Sequence, residues 1–178
     1  MDALECILTR RSVRRFDSAK KITHSEIEEL LKAASYAPSA HNKQPWCFLV
    51  IEDKEVIKGF RQIQPWTSFA KDASCVIIIC ADTDVAFHRE KEDEQWSFAD
   101  IDCSLAAQNL LLACHAKGLG ACFCGVAPMP TVMNALKKYL NLPENIRPLT
   151  IIPVGYPLEE PKQPDNRYNP DKVHWEKW

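Results

Sequence analysis

Four arginines and one serine lie together near the start of the chain, in the stretch Arg10-Arg11-Ser12-Val13-Arg14-Arg15-Phe16. A guanidinium group stays positively charged at any working pH and can bond two phosphate oxygens at once. These residues are therefore candidates for binding an anionic ligand. Solvated basic faces and nucleic-acid patches have a similar composition, so the stretch alone leaves all three interpretations open.

A second polar stretch, Ala37-Pro38-Ser39-Ala40-His41-Asn42-Lys43-Gln44-Pro45-Trp46, favours the interpretation as a ligand site. Its prolines exclude a continuous helix and predict a loop over 38–45. The loop carries four side chains that donate or accept hydrogen bonds: Ser39, His41, Asn42 and Gln44. Most loops of this composition are only turns. This one leads into an apolar strand, and amides at the rim of a sheet are well placed to recognise a planar heterocycle.

The composition predicts one domain that spans residues 1–178. Its 178 residues are 46% hydrophobic and 26% charged, which is enough for one buried core. The formal net charge is -2 and the sequence pI is about 6.2, whereas nucleic-acid binding favours a broadly basic surface. The arginine stretch is a local exception, so we expect a small anionic ligand and no nucleic acid.

Eight cysteines raise the question of disulfides. The opening residues, Met1-Asp2-Ala3-Leu4-Glu5, lack the basic and apolar regions of a secretory signal, so we expect reduced thiols in a cytoplasmic protein. The longest strongly apolar run, Cys75–Ala81, is far too short to cross a bilayer. We therefore expect no membrane partner.

A metal site is another interpretation of the cysteines. Cys122 and Cys124 are close in sequence, and Cys103, Cys114 and His115 precede them. The usual zinc spacing is missing, because the sequence contains no Cys-x-x-Cys pair. We predict no metal and interpret the cysteines as buried small hydrophobic residues, with a redox role for one of them left open.

Apolar periodicity predicts the helices that must position these stretches. A first short helix has Leu4, Ile7 and Leu8 on one face and ends at the arginine stretch. Thr23 and Glu26 form a capping box at the start of a second helix. Both helices precede the polar loop.

Three further helices are predicted along the chain. They span about 53–61, about 97–117, and a segment that opens at Pro130. The helix over 97–117 is apolar almost all round, which is typical of a helix in the core or in a subunit interface. Gly118 ends it in a left-handed conformation.

Three apolar runs predict the main strands. Trp46–Ile51 reads as a fully buried strand and Cys75–Ala81 as the central one, while Pro153 places the run 149–154 at an edge or a strand end. The charged segment 82–95, which follows the run Cys75–Ala81, is interpreted as a surface lid or mobile helix. The order of elements predicts an α+β fold, a three-layer α/β/α sandwich with a central mixed sheet flanked by helices.

The last residues, 157–178, are rich in proline and carry Tyr168, Trp175 and Trp178. Polar, proline-rich tails are often disordered. Large aromatic side chains argue instead for an extended arm anchored on a partner subunit. We predict an arm.

Four stretches together resemble the nitroreductase family of FMN-dependent flavoproteins, and they occur in the family's order. They are the arginine stretch 10–16, the loop 37–46, Gly118-Leu119-Gly120-Ala121-Cys122-Phe123-Cys124-Gly125, and Ile152-Pro153-Val154-Gly155-Tyr156-Pro157. The first two together are quite specific. The resemblance implies a homodimer with the C-terminal arm exchanged between subunits and two FMN molecules in its interface.

The resemblance also implies roles for the arginine stretch. Arg10 would face the FMN phosphate, Arg11 and Ser12 would complete that pocket, and Arg14 would lie near the pyrimidine edge of the flavin. A cation at that edge stabilises the anionic reduced flavin, so Arg14 would tune the cofactor.

Other implied contacts come from the loop, the glycine-rich stretch and the arm. Five loop residues would pack against the flavin from the other subunit: Pro38, Ser39, Ala40, Asn42 and Gln44. Four residues would run under the ring: Cys122, Phe123, Cys124 and Gly125. Arg167 in the arm would close over the phosphate.

The implied activity is that of an FMN-dependent NAD(P)H oxidoreductase. NAD(P)H would reduce the FMN and leave, and a small acceptor such as a nitroaromatic or quinone would then take the electrons in ping-pong order. No catalytic side chain is needed as acid or base. Two alternatives stay open: a dehalogenase or flavin destructase relative of the same fold, with 82–95 as its lid, and an FMN-binding protein without turnover.

Overall fold

A computed structural model describes residues 1–88, 98–162 and 165–178. Within these ranges the α-helices are α1 Ala3–Thr9, α2 His24–Ala34, α3 Lys54–Ile63, α4 Phe98–Ala116 and α5 Pro130–Leu140. The strands are β1 Trp46–Ile51, β2 Cys75–Asp82, β3 Gly120–Ala121, β4 Cys124–Gly125 and β5 Ile146–Gly155. Short 3₁₀ helices span Ala40–Asn42, Pro65–Asp72 and Pro170–Lys172.

The strands form a five-stranded sheet in the order β1-β2-β5-β3, with β4 also paired to β5. All of these ladders are antiparallel. The five named strands therefore form an antiparallel sheet, and the prediction of a mixed sheet was wrong on this point; the parallel pairing described in the chain is an isolated bridge between Ser12 and Ala121, outside these strands.

Side chains of β2 alternate between two apolar cores, one on each face of the sheet. Ile77 and Ile79 pack with Leu30 of α2 and Leu110 of α4. Val76 and Ile78 belong to the opposite core, with α3 and α5, because successive side chains of a strand point to opposite faces. Helices therefore cover both faces, and the predicted α+β sandwich is confirmed.

Local capping explains where several helices begin and end. The Thr23 hydroxyl accepts a bond from the Glu26 N–H, and the Glu26 carboxylate accepts one from the Thr23 N–H, which is the predicted capping box. Gly118 has a φ of 73°, so the predicted left-handed residue after α4 is confirmed. Asp53 caps α3 through the N–H groups of residues 55 and 56.

Two expectations about the strands were wrong. β1 is an edge strand that pairs only with β2 among the named strands, and Leu49 is exposed, so it is not fully buried. β5 lies inside the sheet although it contains Pro153. The carbonyl of Pro153 accepts a bond from the Cys122 N–H at 3.4 Å. The N–H and C=O of one residue in an antiparallel strand point to the same neighbour, so the N–H that proline lacks would also point into the break between β3 and β4. No ladder bond is lost there.

Two helices expose apolar faces. Leu4, Ile7 and Leu8 share one face of α1, as predicted, but they are 71%, 54% and 70% exposed. α4 buries eight residues on one side while Ile101 and Leu105 on the other side are exposed. We call these five side chains the α1/α4 apolar face. Within the described ranges, no helix is long and apolar enough to cross a membrane.

The predicted lid over 82–95 is described only as far as His88, where 82–86 form the end of β2 and a turn. Residues 89–95 lie outside the described ranges. The Phe87 ring stacks on His41 of the polar loop, with centroids 4.0 Å apart. The start of this segment thus packs on the loop.

Candidate functional site

The arginine stretch and the glycine-rich stretch, more than one hundred residues apart in sequence, lie side by side. Ser12 bridges Ala121, and the Val13 N–H donates to the Ala121 carbonyl at 3.0 Å. Gly120 makes this approach possible, because a Cβ at that position would lie 2.6 Å from Cγ1 of Val13. The tertiary fold therefore builds one site from two of the predicted stretches.

Helix α1 positions the first arginine. Asp2 caps the helix through the Glu5 N–H, and α1 ends so that the Arg10 N–H bonds the Cys6 carbonyl at 3.1 Å. Burial lowers the pKa of Arg10, and the charges of Arg167 and Arg11 lower it further. The Arg10 guanidinium group is thus close enough to those of Arg167 and Arg11 to be repelled by both.

A first cleft of about 580 Å³ contains five of the predicted residues. Arg14 lies on its wall, and so does the whole segment Cys122, Phe123, Cys124 and Gly125. The opposite wall is the segment 64–69, which includes Trp66 at 80% exposure. Gln64 ties the two walls together, because its side-chain amide donates to the Gly125 carbonyl at 2.7 Å.

Two further clefts hold the remaining predicted cations. One of about 560 Å³ is lined by Arg11, Ser12 and Arg14 together with 159–162 of the arm. Another of about 470 Å³ places Arg10 beside Arg167. Arg14 lines both of the first two clefts, so they adjoin.

The arginines differ in their partners. Arg15 makes two hydrogen bonds of 2.9 Å to the Glu159 carboxylate, which accounts for its charge. Across 1–88, 98–162 and 165–178, Arg10, Arg11 and Arg14 form no such ion pair. Cations that no carboxylate of the described chain pairs with are suited to an anion from outside the chain.

The cysteines are buried as predicted, except for the half-buried Cys47, and all eight are free. Burial raises the pKa of Cys75 and of Cys80 to about 12. Cys122 differs: its interaction with the Cys124 thiol, together with the Arg14 charge and the Ser12 hydroxyl, outweighs the effect of burial and lowers its pKa to about 7. The same interaction, together with burial, raises the pKa of Cys124.

The polar loop does not line these clefts in the described part of the chain. Its backbone is strained, with φ values of 50°, 55° and 50° at His41, Asn42 and Gln44. The hydroxyl of Ser39 accepts from the Gln44 N–H at 2.9 Å, and the Gln44 amide donates to the Asn42 side chain at 2.8 Å. The loop is therefore a preformed rim with exposed polar groups.

Asp102 of α4 anchors this loop. One carboxylate oxygen accepts from the Ala40 N–H at 3.0 Å, and the other is buried and unbonded in the described residues. Burial raises the pKa of Asp102. Sequence analysis missed this residue, since a single acid on an apolar helix carries no motif.

Sequence analysis also missed the cleft wall formed by Gln64, Trp66 and Phe69. These residues belong to a segment without helical or strand periodicity, so no pattern singled them out. The signal available in the sequence was the dipeptide Pro65-Trp66, where a proline and a large aromatic residue interrupt the pattern.

The fold and the site together define an α+β sandwich whose unpaired arginines border a cleft at the end of its sheet. The model of the Nitroreductase family matches residues 7–68 and 64–156. The chain belongs to the nitroreductase family, and the resemblance read from the sequence is confirmed.

Three similar proteins illustrate the range of the family. A protein of Methanothermobacter thermautotrophicus, provisionally named as an NADH dehydrogenase/NAD(P)H nitroreductase, is 38% identical over 100% of this chain and 88% of its own length. An iodotyrosine deiodinase of Thermotoga neapolitana is 30% identical over 90% of this chain and 94% of its own. The solved structure of an FMN-dependent nitroreductase from Clostridium difficile has a TM-score of 0.84 and 27% identity, and covers 98% of this chain and 99% of that one.

Proposed function

We propose that the protein is an FMN-dependent NAD(P)H oxidoreductase that passes electrons to a small acceptor such as a nitroaromatic or a quinone, in ping-pong order. The observation that carries the proposal is the meeting of the arginine stretch with Cys122–Gly125 in adjoining clefts. The names of the relatives from M. thermautotrophicus and C. difficile support the same activity and cofactor.

The donor set fits the phosphate of FMN. A phosphate monoester is close to a dianion at neutral pH and takes charge-assisted hydrogen bonds from guanidinium and hydroxyl groups. Arg10, Arg11, Ser12 and Arg167 would hold it, and an anion among them would relieve the repulsion that lowers the pKa of Arg10. Arg15 is not assigned to the phosphate, because Glu159 already pairs with it.

The flavin ring would lie toward the first cleft. When bound, FMN supplies two-electron transfer between NAD(P)H and the acceptor. Arg14 would place its positive charge at the ring edge, and the backbone of 122–125 would support the ring. The chain's own residues thus bind, orient and adjust the electrostatics of the cofactor, and none is assigned as a catalytic acid or base.

A homodimer would complete the site. The strained rim contains Pro38, Ser39, Ala40, Asn42 and Gln44, and its polar side chains are those of Ser39, Asn42 and Gln44. None of the five lines the clefts described for its own chain. Asp102, which follows Ile101 of the α1/α4 apolar face along α4, holds this rim through the Ala40 N–H. A second copy seated on that face would bring the rim to the partner's flavin.

The segment 157–178 would be the exchanged arm of the dimer. Its start is fixed on its own chain, since Phe16 bridges Pro157 and the Leu158 N–H donates to the Arg15 carbonyl at 3.0 Å. Farther along, Trp175 and Trp178 are exposed and contribute nothing to the core. They would anchor on the partner, and Arg167 would reach the phosphate. The free thiols suit the cytoplasmic location that we propose.

Reductive dehalogenation is the second candidate function. It is favoured by the match to an iodotyrosine deiodinase along 90% of the chain. Both functions need FMN, so they differ only in the acceptor. An FMN-binding protein without turnover is the remaining alternative.

The test begins with the absorption spectrum of the purified protein. We expect a bound flavin, bleaching by NADH or NADPH without oxygen, and reoxidation by a nitroarene or quinone. Reoxidation by a halotyrosine alone would favour the dehalogenase. A flavin that NADH and NADPH do not reduce would leave only binding, and a protein that binds no FMN would overturn the proposal.

Arginine variants test the assignment of the cations. Arg10→Ala removes a charge-assisted bond worth about 1.5–3 kcal/mol, so FMN affinity should fall by about 10- to 150-fold. Arg15→Ala is the matched control, because Arg15 is paired with Glu159, and its FMN affinity should stay within about twofold of wild type, in keeping with a weak surface ion pair. Equal losses in the two variants would contradict the assignment.

Variants of the apolar face test the dimer. Leu4→Glu with Leu8→Glu should give monomers by sedimentation and should lose FMN, since the partner's rim would be absent. Val85→Glu changes another exposed apolar residue and should leave the dimer intact. A wild-type monomer that binds FMN fully would refute the shared site.

A further inference from the structure

Two cysteines in the wall of the first cleft share one face of the chain. Residues i and i+2 of an extended segment point to the same side, so Cys122 and Cys124 face together and Phe123 points away. Both thiols belong to the core under the cleft and are 2% and 6% exposed, whereas Phe123 is 41% exposed. Both also line the cleft beside Arg14.

The two thiols are close enough to interact. The Cys124 thiol donates to the Cys122 carbonyl oxygen at 3.9 Å. The interactions of the Cys122 sulfur with Cys124 and with the Ser12 hydroxyl both favour its thiolate. Cys122 and Phe123 lie in the break between β3 and β4, outside both ladders.

The charges around Cys122 favour its thiolate. Arg14 and Arg10 both act on it, and both are free of ion pairs within the described ranges. The proton stays on Cys124, which leaves one thiolate next to one thiol. This is the arrangement of an attacking and a resolving cysteine.

We propose that Cys122 and Cys124 form a redox pair that hydrogen peroxide converts to a disulfide, with Cys122 as the attacking residue. The Cys122 sulfur attacks the O–O bond of peroxide: an S–O bond forms, the O–O bond breaks, and hydroxide leaves. The Cys124 sulfur then attacks the Cys122 sulfur: an S–S bond forms, the S–O bond breaks, and water leaves with the Cys124 proton. The two thiols lose two electrons, and peroxide is reduced to water.

Oxidation would change the electrostatics of the cleft. The disulfide removes the negative charge that faces Arg14 and Arg10, so the cleft becomes more positive. A dithiol such as dithiothreitol would restore both thiols by exchange. The oxidation itself does not depend on the proposed flavin function, and the two can fail separately.

Cys47 provides an internal control, since it is more exposed than Cys122 but has a pKa raised by burial and by Asp82. If access decided the rate, Cys47 would react first. At pH 7 a thiol of pKa near 7 is on the order of tenfold or more richer in thiolate than an ordinary one, and lower nucleophilicity cancels part of that gain. We expect Cys122 to react several-fold faster.

The experiment treats the protein as purified with dilute hydrogen peroxide at pH 7 and maps its peptides by mass spectrometry. We expect the 122–124 peptide to lose two hydrogen atoms before Cys47 is oxidised, and dithiothreitol to reverse the change. Cys124→Ser should instead accumulate a sulfenic acid at Cys122 that dimedone traps. Lowering the pH from 7 to 6 should slow the reaction about fivefold.

The wild-type peptide map keeps the proposal testable even if a variant fails to fold. Oxidation of Cys47 ahead of Cys122, or absence of a 122–124 disulfide at any peroxide dose that oxidises Cys47, would overturn it. Formation of the disulfide in protein that binds no FMN would support the redox pair while rejecting the flavin function.

Discussion

Replacing Gly120 by alanine should separate the two stretches that build the site. The new Cβ would lie 2.6, 2.7 and 2.9 Å from Cγ1, Cβ and Cγ2 of Val13. Because the Cβ atom of Val13 is itself among these contacts, no rotamer of the valine removes the overlap. The Val13 backbone must move away from β3, against its 3.0 Å bond to the Ala121 carbonyl.

The change in the free energy of unfolding is the sum of two destabilising effects and one stabilising effect. Overpacking costs about 1–3 kcal/mol, and a weakened backbone bond adds about 0.5–1.5 kcal/mol. The lower chain entropy of alanine in the unfolded state returns about 0.4–1 kcal/mol, since Gly120 has no positive φ that alanine would resist. We expect the free energy of unfolding to fall by about 0.5–4 kcal/mol, and FMN affinity to fall with it because Ser12 and Arg14 flank Val13.

Urea unfolding of the variant and its controls measures this effect. Gly125→Ala is the matched control, because its Cβ would meet no atom closer than 3.9 Å, and it should unfold within about 1 kcal/mol of wild type. Val13→Ala removes two of the three contacts, so the double variant should be less destabilised than the sum of the single variants by about 1 kcal/mol. Wild-type or higher stability of Gly120→Ala, or strict additivity with Val13→Ala, would refute the reasoning.

Two further variants test the loop anchor and a helix contact. Burial raises the pKa of Asp102, so its ionised form destabilises the folded protein at neutral pH, and this cost disappears as the pH falls below its ordinary value of about 4. Asp102→Asn keeps an oxygen that can accept from the Ala40 N–H. By urea unfolding, this variant should be at least as stable as wild type at pH 7, and the difference should vanish at a pH of about 3. A less stable variant at pH 7 would contradict this reasoning. A Cβ at Gly59 would overlap the hydroxyl end of Tyr139, which donates to the Val56 carbonyl at 3.0 Å. Gly59→Ala should therefore lose this hydrogen bond while it gains helix propensity. Because the two effects offset each other, the free energy of unfolding should change by less than about 1 kcal/mol. In a Tyr139→Ala background the same change should stabilise by about 1 kcal/mol, and a loss in that background would show that another contact opposes it.

Much of the fold could be predicted because it depends on short-range patterns. Helix α2 follows from its capping box and its apolar spacing, and β2 from an uninterrupted apolar run. The same reasoning failed for β1, whose apolar run is as continuous although it lies at the edge of the sheet. The composition of a run shows that it is apolar but not whether it lies at the centre or the edge of the sheet, because that position depends on which strands pair.

The exposed face of α1 is a similar case. Leu4, Ile7 and Leu8 have the spacing of one helix face, and the spacing is right. Periodicity within a helix identifies the face but not its neighbour, because the neighbour comes from distant sequence or from another chain. The structure places α1 along the C-terminal half of α4 through Cys6, whose thiol donates to the Leu112 carbonyl at 3.3 Å, and leaves the leucines uncovered.

The sequence by itself determined the family, the local helices and the residues with chemistry, since guanidinium groups, capping residues and apolar periods act over a few positions. Only the tertiary structure decided which of those residues meet. It paired Arg15 with Glu159, set Arg14 and Cys122 in the wall of one cleft, and kept the polar rim away from the clefts of its own chain. Each of these outcomes depends on contacts between segments far apart in sequence, and the free energy of such contacts is fixed by packing in three dimensions.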